Sequence, residues 1–262
     1  WRHMDGSGQE IVGRGCRIYK HLMARKRANG FNCFKSVVCV LLLIGILPVA
    51  CGSPESSTTQ VSEQIFRQAR GEVPLVVAFG DSLTAGLGLS SAEAYPALLQ
   101  ERLDESGYQM QVVNAGVSGD TTAGGLRRIS WVLGENSRVQ ILILALGGND
   151  GLRGLPVDQM KDNLSQMIST AQARGVRVLL AGMRAPPNFG TVYTEQFQNV
   201  FEKLSEDYDV VFLPFLLDGV AGVTEFNQSD GIHPNALGAE RVAAHIWPVL
   251  ESMLQAVPAS AQ

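Results

Sequence analysis

Beyond position 51 the chain has no cysteine; all four, Cys16, Cys33, Cys39 and Cys51, come at or before it. A domain folded from the later residues can therefore hold neither a disulfide nor a cysteine-ligated metal, whatever the redox state around it. Basic charge is scarce in the same region. Eight of the 21 Lys and Arg residues but only two of the 25 Asp and Glu lie within positions 1–51, leaving 13 basic against 23 acidic residues and a net charge of about −10. A surface that binds nucleic acid needs a basic face, so no nucleic acid partner is expected. Histidine is equally sparse: His3 and His21 lie near the start, and only His233 and His245 belong to the body. There is no internal repeat. What remains is an ordinary globular composition, 45% apolar and 18% charged, in 262 residues, enough to bury one sizeable core in a single domain.

The start of the chain reads differently. Arg25-Lys26-Arg27 and Lys35 precede an apolar run from Val37 to Ala50, broken only by Gly45 and Pro48. That run is too short to span a bilayer comfortably and has the charge-then-apolar order of a secretory signal. Residues 1–51 are expected to be an upstream extension plus signal peptide, with Met23 a sensible true start. Cys51, in Leu47-Pro48-Val49-Ala50-Cys51-Gly52-Ser53, resembles a bacterial lipoprotein cleavage box, except that Pro48 stands where the pattern wants an aliphatic residue. Two outcomes stay open: a lipid tether at Cys51, or ordinary cleavage nearby and release to the periplasm or medium. Residues 52–73 then serve as a tether, flexible at least over the Ser- and Thr-rich Ser53–Gln60, and residues 74–256 form the domain.

From Pro74 onward, apolar runs of strand length alternate with helical patterns. Leu75–Phe79, Ile141–Ala145 and Val178–Ala181 are apolar throughout, and Met110–Val113 and Val210–Leu213 are shorter versions. Strands apolar on both faces belong to a sheet covered on both sides. Helices are predicted over Tyr95–Ser106, Thr121–Leu133, Val157–Arg174, Val192–Tyr208 and Asn235–Leu254. The alternation implies right-handed crossovers and a three-layer α/β/α domain around a parallel, flavodoxin-like sheet of about five strands.

In such sheets ligands gather beyond the carboxyl ends of the strands. Gly80-Asp81-Ser82 follows the first strand, Asn114-Ala115-Gly116 the second, and Gly147-Gly148-Asn149-Asp150 the third. Each alone is ordinary turn chemistry, but the three converge on one edge. Asp230-Gly231-Ile232-His233-Pro234 precedes the last helix and can fold over the same edge. Ser82, His233 and Asp230 supply a hydroxyl, a base to take its proton and a group that fixes the base's tautomer, which is what attack on an ester requires. The alternative for Asp230 and His233 is that they merely cap the following helix. His245, inside Arg241–Trp247, reads as a helix histidine. The Ser82 N–H, a second N–H at Gly116 and the Asn149 amide are candidate donors to an oxyanion. No Gly-x-Ser-x-Gly elbow is present: Thr84 fills the second glycine position around Ser82, and Ser118 also fails the pattern. Paired carboxylates for glycoside cleavage cannot be assigned.

Taken in order, Gly80-Asp81-Ser82-Leu83, Gly116, Gly147-x-Asn149-Asp150 and Asp230-x-x-His233 resemble the four blocks of the SGNH, or GDSL-type, hydrolases over roughly residues 74–254. The longer strings Asn114–Thr121, Leu146–Gly154 and Gly231–Asn235 are similar to the bacterial arylesterases and the periplasmic thioesterase I/lysophospholipase L1 group. The resemblance implies the SGNH hydrolase fold, with Ser82 as nucleophile, His233 as base and Asp230 as its orienting acid. It implies an oxyanion hole of the Ser82 N–H, the Gly116 N–H and Asn149, and a two-step acyl transfer with no metal or cofactor. Short- to medium-chain carboxylic and aryl esters are the expected substrates. Acyl-thioesters or lysophospholipids at the same site, carbohydrate acetyl esters, or a non-catalytic tethered binding protein are the alternatives. Gly151–Pro156 and Met183–Phe189 are implied to lie beside the acyl site. Asp81 and Asp150 are expected to bond nearby backbone, and Trp131, Trp247 and the phenylalanines to lie in the core.

Overall fold

The computed structural model describes residues 73–134 and 138–256. The leader, Cys51 and all but the last residue of the tether lie outside the described residues. Five strands, β1 (Leu75–Gly80), β2 (Gln111–Gly116), β3 (Val139–Ala145), β4 (Arg177–Ala181) and β5 (Val211–Leu213), form one parallel sheet in the order β2-β1-β3-β4-β5. This is the flavodoxin-like order predicted from the alternation. The helices are α1 (Ser82–Ala85), α2 (Tyr95–Glu105), α3 (Thr122–Leu133), α4 (Gly148–Leu152), α5 (Val157–Gln172), α6 (Thr191–Asp207) and α7 (Ala236–Gln255).

The chain steps from β1 outward to β2, then back past β1 to β3, β4 and β5. Right-handed crossovers therefore put α2 on one face of the sheet and α3, α5 and α6 on the other. α2 packs on α7, while α3, α5 and α6 pack successively on one another. Each helix turns an apolar stripe inward. In α5, Met160, Leu164, Met167, Ile168 and Ala171 are buried at the three- and four-residue spacing of one helix face, and full burial of each large side chain contributes about 1.5–3 kcal/mol. The inner strands β1, β3 and β4 are buried on both faces.

The register aligns the strand ends that matter. Gly80 pairs with Gly116 on one side and with Ala145 on the other, so β1, β2 and β3 finish level and their turns leave from one edge. All predicted helices and strands are present, with ends shifted by a few residues at most. The largest shift is in β2, which runs on through Asn114-Ala115 to Gly116 because β1 pairs with it to its last residue. The one-turn helices α1 and α4 carry too few residues for a periodic signal. Trp131 corrects the expectation of a core position: it is 84% exposed. The buried stripe of α3 runs through Gly125, Ile129 and Leu133, and a residue two places from both Ile129 and Leu133 points the opposite way. Phe189 is also exposed, whereas Trp247 packs against the core edge-on to Tyr108.

Candidate active site

β1 ends at Gly80, and the chain turns directly into α1 with Asp81 as N-cap, its Oδ1 accepting the Leu83 N–H at 3.0 Å. Ser82 is thus the first residue of a helix at the carboxyl edge of the sheet, where its N–H has no intrahelical partner. The end of β2 lies hard against this helix. A Cβ on Gly116 would sit 2.3 Å from the Ala85 nitrogen, so only glycine permits the contact.

Asp230, Ile232 and His233 lie on a turn closed by the Gln228 N–H donating to the His233 carbonyl at 2.8 Å. Asp230 Oδ1 accepts the N–H groups of Ile232 and His233 at 2.9 and 3.0 Å, and its Oδ2 lies 2.6 Å from His233 Nδ1. The hydrogen bond from the His233 ring, joined by the backbone N–H bonds of His233 and Ile232, holds the Asp230 carboxyl down to about 2. An ionised carboxylate only accepts, so His233 Nδ1 carries the hydrogen and Nε2 is left as an acceptor. Nε2 lies 2.9 Å from Ser82 Oγ, although the two residues are 151 positions apart in the chain. The hydroxyl, the imidazole and the carboxylate are therefore joined in one path that can take a proton from Ser82. Helix capping does not account for the pair: α7 starts at Ala236, and Asn235 is its N-cap, accepting the Gly238 N–H. His245 meets the Phe215 carbonyl at 3.0 Å, the satisfied helix histidine that its surroundings predict.

Asn149 lies in α4, which begins after Gly147, whose φ of 115° suits glycine. Its amide donates to the Asp120 carbonyl at 2.9 Å and to Asp81 Oδ2 at 3.2 Å. Asp81 is 1% exposed, and burial pushes its carboxyl up to about 6 against the lowering effect of bonds from Leu83 and Asn149. Asp150 departs from expectation. It is buried and binds another element, accepting the Thr122 N–H at 2.8 Å and the Thr122 hydroxyl at 2.6 Å, which ties the start of α3 to α4.

Gly116 is a correction. Its N–H donates to Asn114 Oδ1 at 3.0 Å, and it does not line the cleft around Ser82. Because β2 runs through Gly116, the turn proper begins later, and Gly119, at φ 82°, is the glycine that reaches the cleft. Its N–H has no acceptor among the described residues.

One residue was not legible in the sequence. Arg128, on α3, donates from Nε to Asp120 Oδ2 at 2.7 Å, from Nη1 to the Ala115 carbonyl at 2.8 Å and from Nη2 to the Gly80 carbonyl at 2.9 Å. Its guanidinium lies 3.8 Å above the centre of the Phe79 ring. It clasps the ends of β1 and β2 and the Asp120 turn together; the adjacent pair Arg127-Arg128 on the helix does not by itself signal this.

Ser82, Asn149 and His233 open on a cleft of about 810 Å³. Leu152 and the stretch Met183–Pro187 form part of its wall, as the resemblance implies, and Phe215, Leu217 and Asp218 form a wall that the sequence did not reveal. Ser118 lines the cleft as well but has no histidine partner among the described residues.

The GDSL-like Lipase/Acylhydrolase family matches residues 78–241 of this chain. Esterase TesA of Pseudomonas aeruginosa is 43% identical over 190 residues, which cover 72% of this chain and 93% of that protein. Thioesterase 1/protease 1/lysophospholipase L1 of Escherichia coli K12 is 39% identical over 170 residues, 65% of this chain and 79% of that one. Among solved structures, AlinE4, described as an SGNH-hydrolase family esterase, superposes with a TM-score of 0.59 at 43% identity, covering 72% of this chain and 99% of its own.

Proposed function

Because the chain belongs to the GDSL-like lipase/acylhydrolase family, we propose that it is a serine esterase that hydrolyses short- to medium-chain carboxylic esters, aryl esters included, through an acyl intermediate on Ser82. The observation that carries this reading is the continuous path from Ser82 Oγ through His233 to Asp230. As Ser82 Oγ attacks the ester carbonyl, His233 Nε2 takes its proton, and ionised Asp230 stabilises the imidazolium and holds its tautomer. The negative charge on the carbonyl oxygen is received by the N–H groups of Ser82 and Gly119, the latter replacing Gly116, and by the Asn149 amide. When the tetrahedral intermediate collapses, His233 returns the proton to the leaving alcohol. Water then repeats the sequence on the acyl-enzyme and frees the acid. Leu152, Met183, Phe215 and Leu217 give the cleft an apolar lining suited to an acyl or aryl group.

A second reading, acyl-thioesters or lysophospholipids at the same site, is favoured by the likeness to the Escherichia coli protein of that name. A series of p-nitrophenyl esters from acetate to palmitate, with an acyl-CoA and a lysophospholipid alongside, separates the two. The ester reading predicts the highest kcat/KM among the shorter p-nitrophenyl esters. A higher value for the acyl-CoA or the lysophospholipid would replace it with the second, and no hydrolysis of any would leave a binding protein.

A further inference from the structure

Asp81 is placed where a buried charge is hard to justify by local structure alone. Capping a four-residue helix needs one oxygen, and serine, threonine or asparagine supplies it, whereas a buried carboxylate loses its hydration. The second oxygen has a different partner. Oδ1 accepts the Leu83 N–H inside the turn that bears Ser82, and Oδ2 accepts a hydrogen of the Asn149 amide from α4. Asn149 has two amide hydrogens, and the other goes to the Asp120 carbonyl, whose residue is held by Arg128. Two acceptors on separate turns thus fix the plane of the amide, and since both hydrogens are engaged, the one in the longer, 3.2 Å contact with Asp81 Oδ2 is the one that an oxyanion shares. The approach is close: a Cβ on Gly148 would come within 3.3 Å of Asp81 Oδ2.

We propose that Asp81 is a positioning residue that ties the Asn149 amide to the turn bearing Ser82, setting the angle from which Asn149 receives the oxyanion. The proposal rests on the esterase reading and adds a member to that site which touches no substrate atom. Asp81 acts on the chemical step through Asn149, so its loss lowers kcat and leaves KM nearly unchanged. A misplacement on the scale of 1 Å can cost about 10²-fold in turnover.

The test is a double-mutant cycle on p-nitrophenyl butyrate using Asp81→Ser, which keeps a capping oxygen but cannot reach Asn149, with Asp81→Asn as a second variant of the same shape. Asp81→Ser is expected to lower kcat by about 10- to 100-fold with KM within about twofold, and in an Asn149→Ala background to change kcat by less than about twofold. An equal loss in both backgrounds would mean that Asp81 acts on Ser82 or α1 instead, and would overturn the proposal. Full activity of both Asp81 variants would overturn it too. The esterase reading has its own control in the cycle. Asn149→Ala alone should lose about 10²–10³ in kcat, and a loss of a few-fold would remove Asn149 from the oxyanion hole and the proposal with it.

Discussion

Asp230 and Asp81 are carboxylates of one site driven in opposite directions. Asp230 accepts three hydrogen bonds and is held down to about 2, so it stays ionised wherever the enzyme works. Asp81 is buried and is pushed up to about 6. A carboxyl whose folded value lies above its unfolded value binds more protons when folded, so stability falls as pH rises from about 4 through about 6. At 1.36 kcal/mol per unit, the shift from 3.8 to about 6 amounts to a cost on the order of 3 kcal/mol at neutral pH. Asp81→Asn is therefore expected to be more resistant to urea than the parent at pH 7, with the gain gone by about pH 4. A gain independent of pH would locate the effect in packing rather than charge. At this scale the sequence is informative where choices are few. Two histidines remained in the body, and one stood three residues from an aspartate. It misleads at Gly116 and Gly119, two glycines three apart, because the residue at which β2 ends is decided by pairing with β1, not by local composition.

Among the elements, strand ends and helix starts do the placing. The level ends of β1, β2 and β3 follow from a register that apolar runs cannot specify, and the clasp at Arg128 keeps them together. Arg128→Ala removes three charge-assisted hydrogen bonds and leaves the Gly80 carbonyl with the Val117 N–H alone, so unfolding free energy should drop by about 2–4 kcal/mol, with kcat falling more than KM. Arg128→Lys is not expected to rescue it, because one ammonium cannot reproduce a planar fork reaching three acceptors. Denaturant unfolding and steady-state kinetics on both variants check this; restoration by lysine would show that charge alone is required. Helix periodicity was readable in α2, α3, α5, α6 and α7, while α1 and α4, four and five residues long, have no period to read. These two short helices present Ser82 and Asn149.

For the molecule as a whole, continuous apolar strands alternating with amphipathic helices left little choice of architecture, and the parallel order β2-β1-β3-β4-β5 follows. The cleft was only half legible. Its wall at Met183–Pro187 was flagged by resemblance, but Phe215, Leu217 and Asp218 reach it through folding of the chain after β5, which no local pattern announces. The central claim is that Ser82 alone becomes acylated. It is tested by treating the protein with an ethyl fluorophosphonate and mapping the adduct by peptide mass spectrometry. A single label on the peptide containing Ser82, absent from Ser82→Ala and slower to form in Asp230→Asn, is the predicted result; a label on Ser118, or none with hydrolysis intact, would contradict it.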